Sequence, residues 1–398
     1  MHVFSNKRLA LAIALVVAVV VALAGFAGGA ASLSQRSITV GFIYDNDART
    51  PYSYDFFLAQ RALQEAYPDQ VQVVMYDNIL DDELADPVEH LALDGCDIIF
   101  TNNYGNVREL AQRYPNIQFC QVSNNPYPSD EVLPNYHTFK GEAYQARYVS
   151  GVVAGIKLQD MIDRGRIQPD EAVLGFVAAY PTSEVISGFS AFILGVRSVV
   201  PQATMRVKYT DEWSAYTLEK ACAKELIEEG CVIISQHTDT VGPAIACEEC
   251  YEHEVFHVGY NIDMTDVAPD TSLTSVRLDW APYVIGAVEA VMYNKSIEET
   301  VAGRVHAGND MSAGFEHGWV EVTKLNEQLL PDGAQAQVDK TIAAIKDGSL
   351  QVFLGNYTGV NPADANDVID LREGFVENES SSIPSFHYIL SDVVMEEE

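Results

Sequence analysis

The side chains best suited to chemistry in this chain are flat rings set among carboxylates and amides in short polar stretches. One such stretch is Asp45-Asn46-Asp47-Ala48-Arg49-Thr50-Pro51-Tyr52-Ser53-Tyr54-Asp55-Phe56, and another is Asn102-Asn103-Tyr104-Gly105-Asn106. Tyr180-Pro181-Thr182-Ser183-Glu184, Thr210-Asp211-Glu212-Trp213, His237-Thr238-Asp239-Thr240 and Asn261-Ile262-Asp263 continue the pattern. Rings can sandwich a planar group, while carboxylates and amides hold its hydroxyl or amino donors. Turns are rich in Asp, Asn and Tyr for local reasons as well. Recurrence at equivalent places is what favours a binding site.

Catalytic and metal chemistry find less support. Gly188-Phe189-Ser190-Ala191-Phe192 lacks the second glycine of a nucleophile elbow and falls inside a predicted helix. His237 stands two residues from Asp239, but no nucleophile has a matching context, so the two read as a hydrogen-bonded pair in a binding loop. Cys247-x-x-Cys250-x-x-His253-x-x-x-His257 places four metal-capable side chains within one short segment, with no second Cys pair to support it. No phosphate-cradling glycine motif occurs. No catalytic residue, metal or cofactor is expected.

Those stretches need a scaffold, and the chain has the length for one. Its 398 residues suit two domains, and 48% apolar residues give ample core. The 24 Lys+Arg face 57 Asp+Glu, a net charge of −33, which disfavours nucleic acid, anionic lipid and polyphosphate partners. Ile38 to Tyr44 reads as a buried strand, followed by a polar aromatic loop and a helix from about Tyr54 to Ala66. Strand 71–76, helix 84–93, strand 97–101, helix 106–113 and strand 117–122 repeat the alternation. The Pro-containing loop 123–136 is the expected first crossing between lobes. A second run follows, with helices at 141–158, 184–199, 214–229 and 242–252. Its strands are expected at 172–179, 204–209, 232–236, 255–260 and 272–277. Such alternation implies α/β lobes with doubly wound parallel sheets, whose ligands bind beyond the carboxyl ends of the strands. Every polar stretch named above follows such a strand.

Lys7-Arg8, the apolar run from Leu9 to Ala24 and the small residues after it form a targeting segment over residues 1–31. It serves as a cleavable signal or as a retained membrane anchor, since about 20 apolar residues span a bilayer. The first cysteine is Cys96, which excludes N-terminal lipidation at that boundary. In an exported protein the six cysteines, Cys96, Cys120, Cys222, Cys231, Cys247 and Cys250, form three local pairs and are disulfide candidates. Residues 373–398 offer few anchors, and Ser380-Ser381-Ser382 and the terminal glutamates read as solvent-exposed.

Several strings resemble basic membrane protein (BMP, PnrA-like) substrate-binding proteins. They are Gly259-Tyr260-Asn261-Ile262-Asp263-Met264, Ser235-Gln236-His237-Thr238-Asp239-Thr240, Val177 to Gly188, Tyr144 to Gly155, Leu194 to Val199, and Leu273-Thr274-Ser275 before Trp280-Ala281-Pro282-Tyr283. The resemblance runs from about Ile38 to Tyr357. It implies a type I periplasmic-binding-protein fold with two lobes joined by a hinge. The first lobe would span 38–125 with part of 280–320 returning to it, and the second 138–277 with part of 320–390 returning. It also implies an extracytoplasmic component of an ABC importer that captures nucleosides or purine bases for a membrane permease, with an aromatic clamp and ribose-binding carboxylates. The ligand-binding candidates are Asp47, Tyr52, Tyr54, Phe56, Asn102, Tyr104, Trp213, His237, Asp239, Asn261 and Asp263. Asp263 takes the place of the family's ribose-binding acid, and Trp213 that of the clamp ring in the second lobe. A membrane-tethered nucleoside sensor and a nucleoside hydrolase-like enzyme are the alternatives.

Overall fold

The computed structural model describes residues 37–125, 127 and 132–397, and the expected targeting segment lies outside them. The chain opens with β1 (Ile38–Ile43), α1 (Pro51–Ala66), β2 (Val71–Tyr76), α2 (Ala85–Leu93), β3 (Ile98–Thr101), α3 (Val107–Arg113), β4 (Gln118–Val122) and β5 (Tyr136–Gly141). A second run has α4 (Ala143–Asp163), β6 (Val173–Ala178), α5 (Ser183–Arg197), β7 (Thr204–Tyr209), α6 (Tyr216–Glu228), β8 (Ile233–His237), α7 (Gly242–Glu249), β9 (Phe256–Tyr260) and β10 (Ser272–Leu278). There follow α8 (Ala281–Met292), α9 (Ile297–Thr300), β11 (Arg304–Val305), β12 (Asp310–Ala313), β13 (Val320–Val322) and α10 (Ala334–Lys346). The remainder is β14 (Thr358–Asn361), β15 (Asp364–Asp370), β16 (Ile389–Leu390) and β17 (Val394–Glu397).

These strands build two seven-stranded sheets in the orders β11-β12-β5-β4-β3-β1-β2 and β13-β10-β9-β8-β6-β7-β17, with a small third sheet β15-β14-β16. Within the two large sheets only the β11–β12 and β10–β13 pairs are antiparallel. Continuous apolar runs such as Ile98–Thr101 are buried on both faces, as helix-covered parallel strands must be. The loop 123–136 does not cross between lobes as expected. It leads into β5, which pairs with its predecessor β4 in the same sheet. The strand was inconspicuous because His137, Thr138 and Lys140 make it look polar, although each is buried with a polar partner.

The chain instead passes between the sheets after β5, after β10 and after β12, and the three passages touch. Glu142 N–H donates to Ala313 O and Asp279 N–H to Trp319 O, each at 2.9 Å. A Cβ on Gly141 would lie 2.7 Å from Leu278 Cδ2 and 3.0 Å from Trp319 O, so a side chain here has no space. Buried rings fill the surroundings. Phe139 stacks on Tyr283 at 3.7 Å between centroids, Trp319 meets Tyr283 edge-on at 5.3 Å, and Trp280 meets Phe139 edge-on at 5.6 Å.

In the second lobe α4 and α5 cross with almost no separation. A Cβ on Gly151 would sit 2.0 Å from Phe192 O, and one on Gly195 would sit 2.0 Å from Tyr148 O. The segment after α10 then reaches both lobes. The Asp310 carboxylate accepts from Thr138 Oγ1 (2.8 Å), Ser123 Oγ (3.2 Å), Ser382 N–H (2.7 Å) and Ser381 Oγ (3.2 Å). Glu377 accepts from Ser187 Oγ and from the Ser385 and Phe386 N–H groups, each at 2.9 Å. Ser382 is therefore buried, contrary to its expected exposure, because Asp310 supplies a partner that the local sequence does not reveal.

The expected disulfides are also absent, since each of the six cysteines carries a thiol. Cys222, Cys231 and Cys247 share one apolar cluster, while Cys96 and Cys120 belong to different clusters. They pack as small apolar side chains, and burial pushes the Cys96 thiol up to about 12. Among the described residues no helix is long and apolar enough to cross a membrane.

Two outcomes follow for stability. Gly→Ala in a helix interior ordinarily gains up to about 1 kcal/mol. Gly195→Ala should instead destabilise by about 1–3 kcal/mol, because the methyl group meets a carbonyl that cannot withdraw. Urea denaturation measures this, and a stabilised variant would contradict the close crossing. Self-repulsion from a net charge of −33 should make the melting temperature climb with added NaCl. A salt-independent melting curve would show that the surface charge carries no such penalty.

Candidate functional site

The carboxyl ends of the strands in both large sheets enclose a cavity of about 360 Å³. The first lobe contributes the loops after β1, β2 and β3, which hydrogen bonds tie together. Asp45 Oδ1 accepts from Ser53 Oγ (2.7 Å) and Asn102 Nδ2 (2.8 Å), and Asp45 N–H donates to Asn102 Oδ1 (3.0 Å). Asn103 Nδ2 donates to Ile79 O at 2.6 Å, and Tyr104 N–H to Asp81 Oδ1 at 2.9 Å. A Cβ on Gly105 would fall 2.0 Å from Asp81 O, so only glycine allows these loops to meet. The result is a pair of rings, Tyr52 and Tyr104, with hydroxyls 3.4 Å apart.

The second lobe presents Trp213 after β7, His237 at the end of β8, Asp239 just beyond it, Tyr260 at the end of β9, and Glu184 in the first turn of α5. Asp239 N–H donates to Trp213 O at 2.7 Å, and Asn261 Nδ2 donates to Asp239 Oδ1 at 2.9 Å. Trp213 lies 5.5 Å from the Tyr180 ring, and His237 lies 4.4 Å from Tyr260. One ion pair joins the lobes at the cavity wall. Lys140 of β5, almost wholly buried, donates to Glu184 Oε2 at 2.6 Å.

Burial dominates the electrostatics. It pushes the Asp239 carboxyl well above the ordinary carboxylate range, with Asp45, Glu219 and Glu184 adding repulsion and the Asn261 hydrogen bond opposing it. It pushes His237 well below its ordinary range, with Arg147 and Lys140 adding to the effect, which favours the neutral imidazole. Arg147 is buried beneath the cavity floor, its Cζ 4.0 Å from the Tyr260 ring centre, and burial lowers it to about 10. Rings from both lobes, carboxylate acceptors and a neutral imidazole suit a planar ligand with hydroxyl or amino donors.

Six of the sequence-derived candidates line the cavity, namely Tyr52, Asn102, Tyr104, Trp213, His237 and Asp239. Asn261 lies just behind it, steering Asp239. Four are elsewhere. Asp47 is clasped by Arg49, which holds it at about 2. The helix begins at Pro51 and not near Tyr54, so Tyr52 faces the cavity, Tyr54 points outward, and Phe56 is buried against Tyr44 and Trp280. Asp263 is exposed and caps its own turn, accepting from Thr265 N–H (2.9 Å) and Thr265 Oγ1 (2.7 Å). Asp239 occupies the cavity wall in its stead.

Asp45, Asn103, Glu184 and Tyr260 line the cavity as well, in or beside the polar stretches at the strand exits, and are not among the candidates the sequence singles out. Ile79, Leu80 and Asp81 carried a signal too, because the loop after β2 is another strand exit. Among the described residues no group of three or more His, Cys, Asp or Glu is placed to hold a metal ion. Cys247 Sγ turns inward to Phe256 O (3.7 Å), while His257 Nε2 lies 3.0 Å from Gln236 Oε1.

The model of one protein family, described as PnrA-like ABC transporter substrate-binding protein, matches residues 37–350. A purine-binding protein of Brucella abortus is 28% identical over 344 residues, covering 85% of this chain and 89% of the relative. A putative ABC transporter glucose-binding protein of Haloferax volcanii is 25% identical over 332 residues, covering 82% of this chain and 76% of the relative. Among solved structures, an ABC transporter solute-binding protein of Aeropyrum pernix superposes with a TM-score of 0.62 at 15% identity, over 83% of this chain and 95% of that one. This likeness shows a shared two-lobe fold.

Asp239 gives a pH-dependent test. Its carboxyl is raised in the folded state, so the stability it contributes is complete below the ordinary carboxylate range and lost as pH rises. Asp239→Asn keeps the Oδ1 acceptor for Asn261 and cannot ionise. The unliganded variant should melt higher than the parent at pH 7–8, with the difference vanishing towards pH 4. Calorimetric melting across that range checks the sign. Asp263→Ala should leave ligand affinity unchanged in titration calorimetry, because its carboxylate serves only its own turn.

Proposed function

The chain belongs to the PnrA-like family of ABC transporter substrate-binding proteins, and from that premise we propose that it captures a purine nucleoside or purine base between its lobes and delivers it to a membrane permease. Substrate-binding proteins of this kind work outside the cytoplasm. The observation that carries the ligand assignment is the composition of the cavity wall, with Tyr52 and Tyr104 on one lobe facing Trp213 on the other and carboxylates on both. Stacking a base on an aromatic ring contributes about 1–3 kcal/mol, and a hydrogen bond to a charged group about 1.5–3 kcal/mol. A few such contacts support micromolar or tighter affinity after ordering costs. A phosphorylated nucleotide would meet Asp45, Asp81 and Glu184 with like charge. The purine-binding name of the Brucella relative points the same way.

A monosaccharide is the second reading, favoured by the glucose-binding name of the Haloferax relative. Carboxylates and a single ring serve a sugar equally well. Three rings from two lobes favour a wider planar group.

A thermal-shift panel of purine and pyrimidine nucleosides, free bases and hexoses separates the readings. A ligand at 100 times its dissociation constant adds about 2.7 kcal/mol of stability. Purines should shift the melting temperature and hexoses should not, and the reverse pattern would reject the purine assignment. Trp213→Ala should weaken purine binding by about 1–3 kcal/mol through lost stacking. Calorimetry reads this directly, and unchanged affinity would remove Trp213 from the clamp.

A further inference from the structure

His237 differs from the carboxylates of the cavity wall. Asp45, Asp81, Glu184 and Asp239 offer carboxylate oxygens, which accept hydrogen bonds when ionised. The imidazole can do either, and its surroundings decide which. Nδ1 is sealed from solvent and has no hydrogen-bond partner. It faces Gly188, where an added Cβ would lie 2.9 Å from it and 3.6 Å from Arg147 Nε, so the ring and the guanidinium converge on one spot. Arg147 is itself fully buried, and its Nη1 donates to Gln236 O at 2.8 Å. The ring lines the cavity and Nδ1 is its sealed nitrogen, so Nε2 is the nitrogen available to a ligand.

A neutral imidazole carries its proton on one nitrogen only. On Nδ1 that proton would point towards a buried cation whose N–H groups are donors. On Nε2 it leaves the Nδ1 lone pair facing the positive charge, which is the favourable arrangement. We infer that Arg147 fixes His237 as the Nε2–H tautomer, so that His237 is a hydrogen-bond donor and selects ligands whose planar part carries an acceptor, a ring nitrogen or a carbonyl oxygen. Arg147 is a positioning residue acting through His237. The inference rests on the purine reading for the ligand, but the tautomer is a property of the unliganded protein and is tested without one.

Long-range ¹H–¹⁵N spectra of the imidazoles in the labelled full-length chain, with His237→Phe used for assignment, report which nitrogen bears the proton. His237 should show a protonated Nε2 and an unprotonated Nδ1, unchanged from pH 5.5 to 8. A protonated Nδ1, or an imidazolium within that range, would overturn the inference. Arg147→Lys should retain the tautomer, whereas Arg147→Met should let Nδ1–H appear and bring the titration closer to its ordinary range. An unchanged spectrum in folded Arg147→Met would remove Arg147 from the role. For the ligand, inosine titrated into His237→Phe should bind roughly tenfold more weakly than to the parent. Equal affinities would show that the donor is unused. If the tautomer is as inferred and no purine, pyrimidine or nucleoside binds the parent protein, the purine reading fails and the donor assignment stands.

Discussion

Everything about the cleft depends on three stretches of backbone lying against one another at a place too narrow for a side chain. Gly141, Leu278 and Trp319 meet there, and two backbone hydrogen bonds hold the passages together. Neither large sheet is complete without chain that has gone through this point, since β12 joins the first sheet and β13 the second only after the second lobe is built. Phe139, Tyr283, Trp280 and Trp319 surround the passages with rigid ring contacts. From Trp280 the ring contacts run on to Tyr52 at 6.4 Å, linking the passages to the cavity wall. A movement of one lobe about this bundle is therefore felt by an aromatic ring that touches the ligand space.

The alternating halves were legible in the sequence because strands covered on both faces must be nearly all apolar, and such runs stand out. β5 was not, because it is central to its sheet yet carries His137, Thr138 and Lys140, whose partners Gln118, Asp310 and Glu184 come from distant parts of the chain. The site shows the same division. Strand exits could be located from the pattern, and six cavity residues with them. Which residue of an exit faces inward is a matter of backbone path. Asn261 turns with φ +66°, and Asp263 leaves the cavity two residues later. A helix starting at Pro51 separates Tyr52 from Tyr54 in the same way. Side-chain direction at a turn is fixed by a few dihedral angles that residue type only weakly specifies.

The cavity is costly to maintain empty. Carboxylates from two lobes line one cavity, Lys140 offsets only Glu184, and a second cation, Arg147, is held behind a tyrosine ring. Groups arranged in this way favour a ligand that brings donors and displaces repulsion. Binding sites are commonly less stable than their scaffold for this reason. The surrounding sheets and the tight α4–α5 crossing supply the stability that the cavity gives up.

The outer edge of the second sheet carries a consequence for how the protein is made. β7 would present a bare row of N–H and C=O groups, and β17 covers it, Val394 pairing with Met205 roughly 190 residues earlier. β17 follows β7 at such a distance along the chain that this pairing completes the sheet only after the intervening residues have been synthesised. Until then the newly synthesised lobe exposes a strand edge on which another chain could dock, and a nascent molecule is open to aggregation for as long as β17 has not been produced. Productive folding of the second lobe is thus timed by the arrival of its most distant strand.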